Sequence, residues 1–319
     1  MTGPGRSRRL SAALAVMLPL LGLPLLSGCG VPSPGPGPSA GVAERGRTVL
    51  KVGAIPDQDP EQLNRLYELV SGDLAEQLGR TVVYVPVVDY TAAVSSFRNG
   101  DLDLVWFGGL TGVQARLQTP GARVIAQRGI DAEFRSVFIA NRSSGLQPFK
   151  SAEGLQTLAG RRFTFGSESS TSGRLMPQYF LDQAGIETSD FQGGTPGFSG
   201  SHDATIALVQ SGAYEAGAVN GQVWRTRLEE GKVDPERVIA LWWTPPYPDY
   251  HWIARPDLDD RFGAGFTDKV QQAILAWSPQ DDRQQQILEL FGAERFIEAE
   301  AGAYASIETV GRRIGKIRS

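Results

Sequence analysis

Strand and helix alternate along almost the whole chain after Val49, and this alternation limits the fold more than any other feature. Val49-Leu50-Lys51-Val52-Gly53-Ala54-Ile55-Pro56 reads as a first strand. Asp59 and Pro60 follow as helix cap and first helical residue, and Leu63, Leu66, Tyr67, Val70, Leu74 and Leu78 form the buried stripe of a helix that Gly79 stops. Val82 to Val88 reads as a second, largely apolar strand, as expected for a sheet covered on both faces. A short helix opens at Thr91, Leu102 to Phe107 forms a third strand ending in Gly108-Gly109, and Val124 to Ala126 and Ser136 to Ala140 are further strands. A second alternating set starts at Phe163-Thr164-Phe165 and continues through Ala216 to Val219 and Val238 to Trp242. Two such sets predict an α/β chain of two lobes. The chain is expected to cross between lobes at Phe138 to Asn141 and again at about Pro245 to Ile253, giving one lobe of residues 48–139 plus 250–319 and another of 140–249. From Asp268 onward the pattern is helical, with Val270, Ile274, Trp277, Ile287, Leu288 and Phe291 as its apolar positions.

In open α/β sheets, ligands bind beyond the carboxyl ends of the strands. Four motifs lie at such ends: Asp57-Gln58, Phe107-Gly108-Gly109, Ser170-Thr171-Ser172 and Ser201-His202. The strongest is the run from Phe163 to Pro177, where an apolar strand passes through a hydroxyl-rich turn straight into a helix. A helix start offers unpaired N–H groups and the positive end of the helix dipole, which suits an anion; the bland reading is an ordinary cap with solvated neighbours. Ser199-Gly200-Ser201-His202-Asp203 is a second hydroxyl-rich helix start. Ser199 or Ser201 can cap it, His202 can donate to an oxyanion, and Asp203 reads as first-turn charge favoured by the dipole. The aromatic, Pro-stiffened Trp242 to Tyr250 stretch, with Tyr247, Asp249 and Tyr250, either lines a cleft or packs the junction between lobes. A cleft between the lobes could gather all of these groups.

The N-terminus carries a different message. Arg6, Arg8 and Arg9 precede an apolar run from Leu10 to Leu26, and Leu26-Ser27-Gly28-Cys29 follows, so residues 1–28 read as an export signal. Cys29 is the sole cysteine, and its setting resembles a bacterial lipobox, which implies lipidation there and a membrane surface anchor. Residues 29–47, rich in Pro and Gly, read as an extended tether. The formal net charge of −4 becomes more negative once the three leader arginines are removed, which argues against nucleic acid as a partner.

Signs of catalysis are poor. Ser, His and Asp are all present, so a surface hydrolase is conceivable. However, neither a Gly-x-Ser-x-Gly elbow nor a Ser-x-x-Lys stands by the serines, and His202 adjoins its candidate acid Asp203. No phosphate-loop or dinucleotide fingerprint occurs, and two histidines do not make a metal cluster, so neither cofactor nor metal is expected.

The joint pattern resembles the phosphate/phosphite/phosphonate-type substrate-binding proteins of ABC importers, most closely the branch named for selenate binding. The residues that carry this are Asp89-Tyr90, Trp106-Phe107-Gly108-Gly109 with Val113 to Arg116, Phe165 to Ser167 with Ser169 to Gly173 and Met176-Pro177, Phe198 to Gly200 with His202 to Thr205, Gly217 to Asn220, and Pro245 to Tyr247 with Asp249, Tyr250 and Trp252. The resemblance runs from about Val49 to the C-terminus and lies in the order and spacing of the motifs together. It implies a two-lobed periplasmic-binding-protein fold of type II that closes on a tetrahedral oxyanion held by Ser170, Thr171, Ser172 and His202, with Phe107-Gly108 and Asp57-Gln58 as the opposite wall. It further implies a monomer that performs no chemistry and hands its ligand to a permease with an ATPase subunit. Phosphonate binders commonly carry a Tyr shortly after the glycine turn. Here Leu110-Thr111-Gly112 stands instead, which argues against an aminoalkylphosphonate. The rival expectation is a ligand-sensing module for a membrane signalling partner.

Overall fold

A computed structural model of the chain describes residues 48–318. The export signal, the tether and Cys29 lie outside the described residues.

The first βα unit follows the sequence closely. Strand β1 (Leu50–Ala54) leads to α1 (Pro60–Leu78), whose N-cap Asp59 accepts the Glu61 and Gln62 N–H groups at 2.9 and 3.3 Å. Gly79, at φ 59°, closes the helix in the left-handed conformation that glycine reaches most easily. Strand β2 (Val82–Tyr84) is shorter than expected. The Val85 N–H still donates to Val52 O at 2.8 Å, but Pro86 has no N–H to continue the ladder and Val88 is 90% exposed. Next come α2 (Tyr90–Asn99), β3 (Leu104–Phe107), α3 (Gly109–Gln118) and β4 (Arg123–Arg128).

Strand β5 (Ser136–Asn141) corrects the expected first crossing. All six of its residues are buried, and it pairs antiparallel with β8 (Ala216–Asn220) on one side and β9 (Val238–Trp243) on the other. It is therefore a central strand of the second sheet, and the chain crosses earlier, through residues 129–135. The second sheet also holds β6 (Phe163–Phe165) and β7 (Gly197–Phe198), in the order β7-β6-β8-β5-β9. Its helices are α4 (Met176–Gln183), α5 (His202–Ser211) and α6 (Gly221–Glu229).

The chain returns between Trp243 and His251. The return strand, β10 (His251–Ala254), lies antiparallel between β3 and β4. Then follow α7 (Leu258–Phe262), α8 (Phe266–Leu275), α9 (Asp282–Phe291), β11 (Phe296–Ile297) and α10 (Ala305–Arg313). The tail is thus not wholly helical: β11 pairs with β4 and closes the first sheet, ordered β11-β4-β10-β3-β1-β2. The fold is a two-lobed α/β architecture with one mixed sheet per lobe. One apolar core packs the first lobe, and two smaller ones cover the faces of the second sheet.

The two crossings pair with each other. Phe134 and Tyr247 exchange backbone hydrogen bonds of 2.9 Å in both directions, and the Asp249 N–H donates to Asp131 O at 3.0 Å. Beside them Arg128 clasps Asp131 through two bonds of 2.6 and 2.7 Å, a fully buried ion pair at the end of β4. Among the described residues, no helix is long and apolar enough to cross a membrane.

Candidate functional site

The hydroxyl-rich turn starts its helix in an unusual way. Thr171–Leu175 forms one π-helical turn that runs directly into α4. Such turns are rare and occur frequently at functional sites. Ser170 is the cap: its Oγ accepts the Gly173 N–H at 2.9 Å. Thr171 reaches across to the first lobe, where its Oγ1 accepts the Leu110 N–H at 2.9 Å from the start of α3. Ser172 keeps its hydroxyl uncommitted, since its Oγ is buried with no hydrogen-bond partner. The Ser172 carbonyl is held from behind by Ser136 Oγ at 2.7 Å.

Gly108 and Gly109 form the facing wall. A Cβ at Gly108 would stand 3.2 Å from Thr171 Oγ1 and 3.3 Å from Asp249 Oδ1, so the missing side chain lets the two lobes meet there. The Gly109 N–H donates to Asp249 Oδ1 at 2.9 Å. Asp249 Oδ2 has no hydrogen-bond partner. Phe107 does not join the wall: it is fully buried in the core, edge-on to Phe97 at 5.6 Å.

His202 is fully buried at the start of α5, and its backbone N–H donates to Asp57 O at 3.0 Å across the cleft. Its Nδ1 accepts the Asn220 N–H at 3.3 Å, which leaves the ring proton on Nε2, 3.3 Å from Tyr250 Oη. Burial pulls the imidazole down to about 4, so His202 is a neutral donor rather than the cation that protonation would make. Tyr250 donates to Asp57 Oδ2 at 2.8 Å, accepts from Asn220 Nδ2 at 3.1 Å and stacks on Trp106. Burial pushes the Asp57 carboxyl up to about 6. Beyond Asp57 and Tyr250 lies a cavity of about 70 Å³ between the lobes, bordered by Trp106, Arg128, Gln222 and Arg227.

The remaining sequence candidates have other work. Ser201 is the α5 cap, with its Oγ accepting the Ala204 N–H at 3.2 Å, and Gln58 Oε1 accepts from Arg227 at 3.3 Å on the cavity side. Tyr247 belongs to the paired crossings, with its Oη against Ser136 Oγ. Asp203 is more than first-turn charge: it binds Arg227 at 2.6 Å and accepts the Asp59 N–H at 2.8 Å from the other lobe. The aromatic stretch divides between both expected uses, since Trp242 packs the second core and Tyr250 faces the cleft.

Two further groups border the cleft beyond the sequence candidates. Tyr90 Oη is buried beside the Ser170 side chain without a hydrogen-bond partner, and Asn220 ties His202 to Tyr250. Asn220 is the last residue of β8 and Tyr90 opens the helix after β2, so the topological rule that selected the other motifs reaches them as well.

Residues 52–304 match the family described as "ABC transporter, phosphonate, periplasmic substrate-binding protein". The chain belongs to this family. It is 54% identical over 270 residues to the "Probable ABC transporter phosphite binding protein PhnD1" of Prochlorococcus marinus, covering 85% of this chain and 91% of the relative. The structure of that organism's PhnD1 in complex with methylphosphonate superposes with a TM-score of 0.83, covering 84% of this chain and 99% of the other. The "Phosphonates-binding periplasmic protein" of Escherichia coli is 29% identical, over 74% of this chain and 73% of its own length. The chain is thus the substrate-binding component of an ABC transporter and not an enzyme. Family membership brings a permease and an ATPase as partners and an exported location.

Proposed function

We propose that the chain captures a small phosphorus oxyanion, phosphite or methylphosphonate, for import. The observation that carries this reading is the set of buried polar atoms around one turn. Tyr90 Oη and Ser172 Oγ lack hydrogen-bond partners, and both lie at the Ser170 to Ser172 turn. Buried polar atoms without partners are costly, and a tetrahedral anion is a ligand that would pair with such donors and with the N–H groups of the helix start. Thr171 Oγ1, Ser172 Oγ, Tyr90 Oη and His202 Nε2 are the proposed side-chain donors. The 54%-identical relative, named as a probable phosphite binding protein and solved in complex with methylphosphonate, supports the same ligand class.

Titration calorimetry with phosphite, methylphosphonate and phosphate tests it. Saturable binding of phosphite or methylphosphonate is expected, and silence with all three rejects the reading. The Cys29 anchor belongs to the same proposal: Cys29→Ser is expected to move the protein from the membrane fraction to the soluble exported fraction. Unchanged membrane association would reject the lipid anchor.

A further inference from the structure

One carboxylate in the cleft has no evident use in holding an anion. Asp249 is 1% exposed, and an ionised carboxylate only accepts hydrogen bonds. The Gly109 N–H fixes its Oδ1 at 2.9 Å, so the side chain cannot turn away, and Oδ2 stays buried and unpartnered beside Thr171 and Ser172. No ion pair neutralises it among the described residues. The ionisable groups around it are the Asp131 carboxylate on the first crossing, Tyr247 and Tyr250 on the second, Tyr90 on α2, Tyr304 ahead of α10, and His251, whose Nδ1 lies 3.0 Å from the Asp249 carbonyl. None of these supplies a positive charge. Asp57, the other buried carboxyl of the cleft, is occupied: its Oδ2 accepts the Tyr250 hydroxyl.

We propose that Asp249 is the selectivity residue of the oxyanion site, accepting tetrahedral anions that carry a proton and rejecting those that do not. The proposal rests on the oxyanion reading above and adds the feature that divides one anion from another. An anion oxygen without hydrogen would set two acceptors against each other in a buried, low-dielectric place. A single proton between them turns the contact into a charge-assisted O–H···O bond. No other bond is made or broken, and the proton can arrive on the anion or on the carboxyl. Phosphite and methylphosphonate hold or regain a proton near neutral pH. Selenate and sulfate, anions of strong acids, do not. The four share a tetrahedral shape, so hydroxyl and amide donors alone separate them poorly.

Burial, with Asp131 nearby, raises the Asp249 carboxyl to about 7. Below that pH the free protein already holds the proton, so selenate is admitted without further proton uptake, whereas above it selenate binding must take up one proton from solution.

Calorimetric titration of the wild-type protein with phosphite, methylphosphonate, selenate and sulfate, at about pH 8 and about pH 5.5 on either side of this titration, is the first test. Selenate and sulfate are expected to bind at least about tenfold more weakly than methylphosphonate at the higher pH and to gain at the lower. Asp249→Asn, which replaces the accepting oxygen with a donor, is the second test. It is expected to shift the selenate-to-phosphite affinity ratio towards selenate by about tenfold or more. Selenate binding as tight as methylphosphonate at the higher pH overturns the proposal, as does an unchanged ratio in a folded Asn variant. Should that variant not fold, the wild-type comparison decides. Failure of all four anions to bind removes the oxyanion reading itself. Phosphite binding without selectivity removes only the role of Asp249.

Discussion

Four hydroxyl residues at two helix starts are equivalent in the sequence and are set to different tasks by the fold. Ser170 and Ser201 cap, Thr171 receives an amide from the opposite lobe, and Ser172 alone is buried and free. Ser172→Ala is therefore expected to leave the urea midpoint nearly unchanged while weakening ligand binding by about 1–3 kcal/mol, the usual worth of a hydrogen bond to a charged group. Ser201→Ala should do the reverse, lowering stability by about 1 kcal/mol through loss of a cap with affinity intact. Denaturation and calorimetry on the same two variants separate the cases. The sequence shows that hydroxyls cluster at Ser170 to Ser172 and Ser199 to Ser201. It does not show which is spent, because the deciding partners, Leu110 and Ser136, lie far along the chain. The state of His202 is hidden for the same reason: its neutrality comes from burial under Tyr250 and Asn220, neither a sequence neighbour.

At the level of elements, the N-terminus of α1 is where the lobes hold each other. Asp203, at the start of α5, accepts the Asp59 N–H and binds Arg227, and Arg227 reaches Gln58 and Gln62 on the first lobe. The Arg227 side chain is 3% exposed and is shared between Asp203 and Glu230, at 2.6 and 2.9 Å, so removing Asp203 leaves it one carboxylate and loosens its hold on the first lobe. Asp203→Asn is expected to favour the open arrangement, seen as a larger radius of gyration by small-angle scattering and ligand binding weaker by about 1–2 kcal/mol, the size of a typical conformational coupling. Equal radii and affinities would place the latch elsewhere. The helices, including α1 and its cap, are legible because their signals are local: Asp59-Pro60, the apolar stripe and Gly79 lie within one stretch. Strand membership is less so. β5 is buried on both faces, and a wholly apolar strand carries no period to say which sheet receives it. The two-residue β11 lies below any pattern that a sequence can display.

Over the whole molecule, four of the buried ionisable groups, two histidines and two carboxyls, pull against one another. Burial lowers His202 to about 4 and His251 to about 3 from an ordinary 6.5, and raises Asp57 to about 6 and Asp249 to about 7 from an ordinary 3.8. A histidine held neutral takes up its proton on unfolding, so it lowers stability as pH falls below its ordinary value. A carboxyl with a raised folded value keeps a proton that the unfolded chain has lost, so it lowers stability as pH rises towards the folded value. Between about pH 4 and 6 two groups of each kind oppose, and their joint contribution is expected to be flat. Asp249→Asn removes one carboxyl and should steepen the loss of stability on acidification across that window by about 1.4 kcal/mol per pH unit relative to the wild type, both ligand-free and read from urea midpoints. The paired crossings carry a mechanical consequence. Two crossing segments tied by the Phe134–Tyr247 bridge and the Asp249–Asp131 bond act as a short ribbon, stiffer against shear within its own plane than to bending and twisting out of it. Opening is thereby confined to something close to a single coordinate, and each closure brings Gly108 back to Thr171 in the same register. Because Ser136 joins the ribbon at Tyr247 to the Ser172 carbonyl, a pull on the binding turn is also a torque on the hinge.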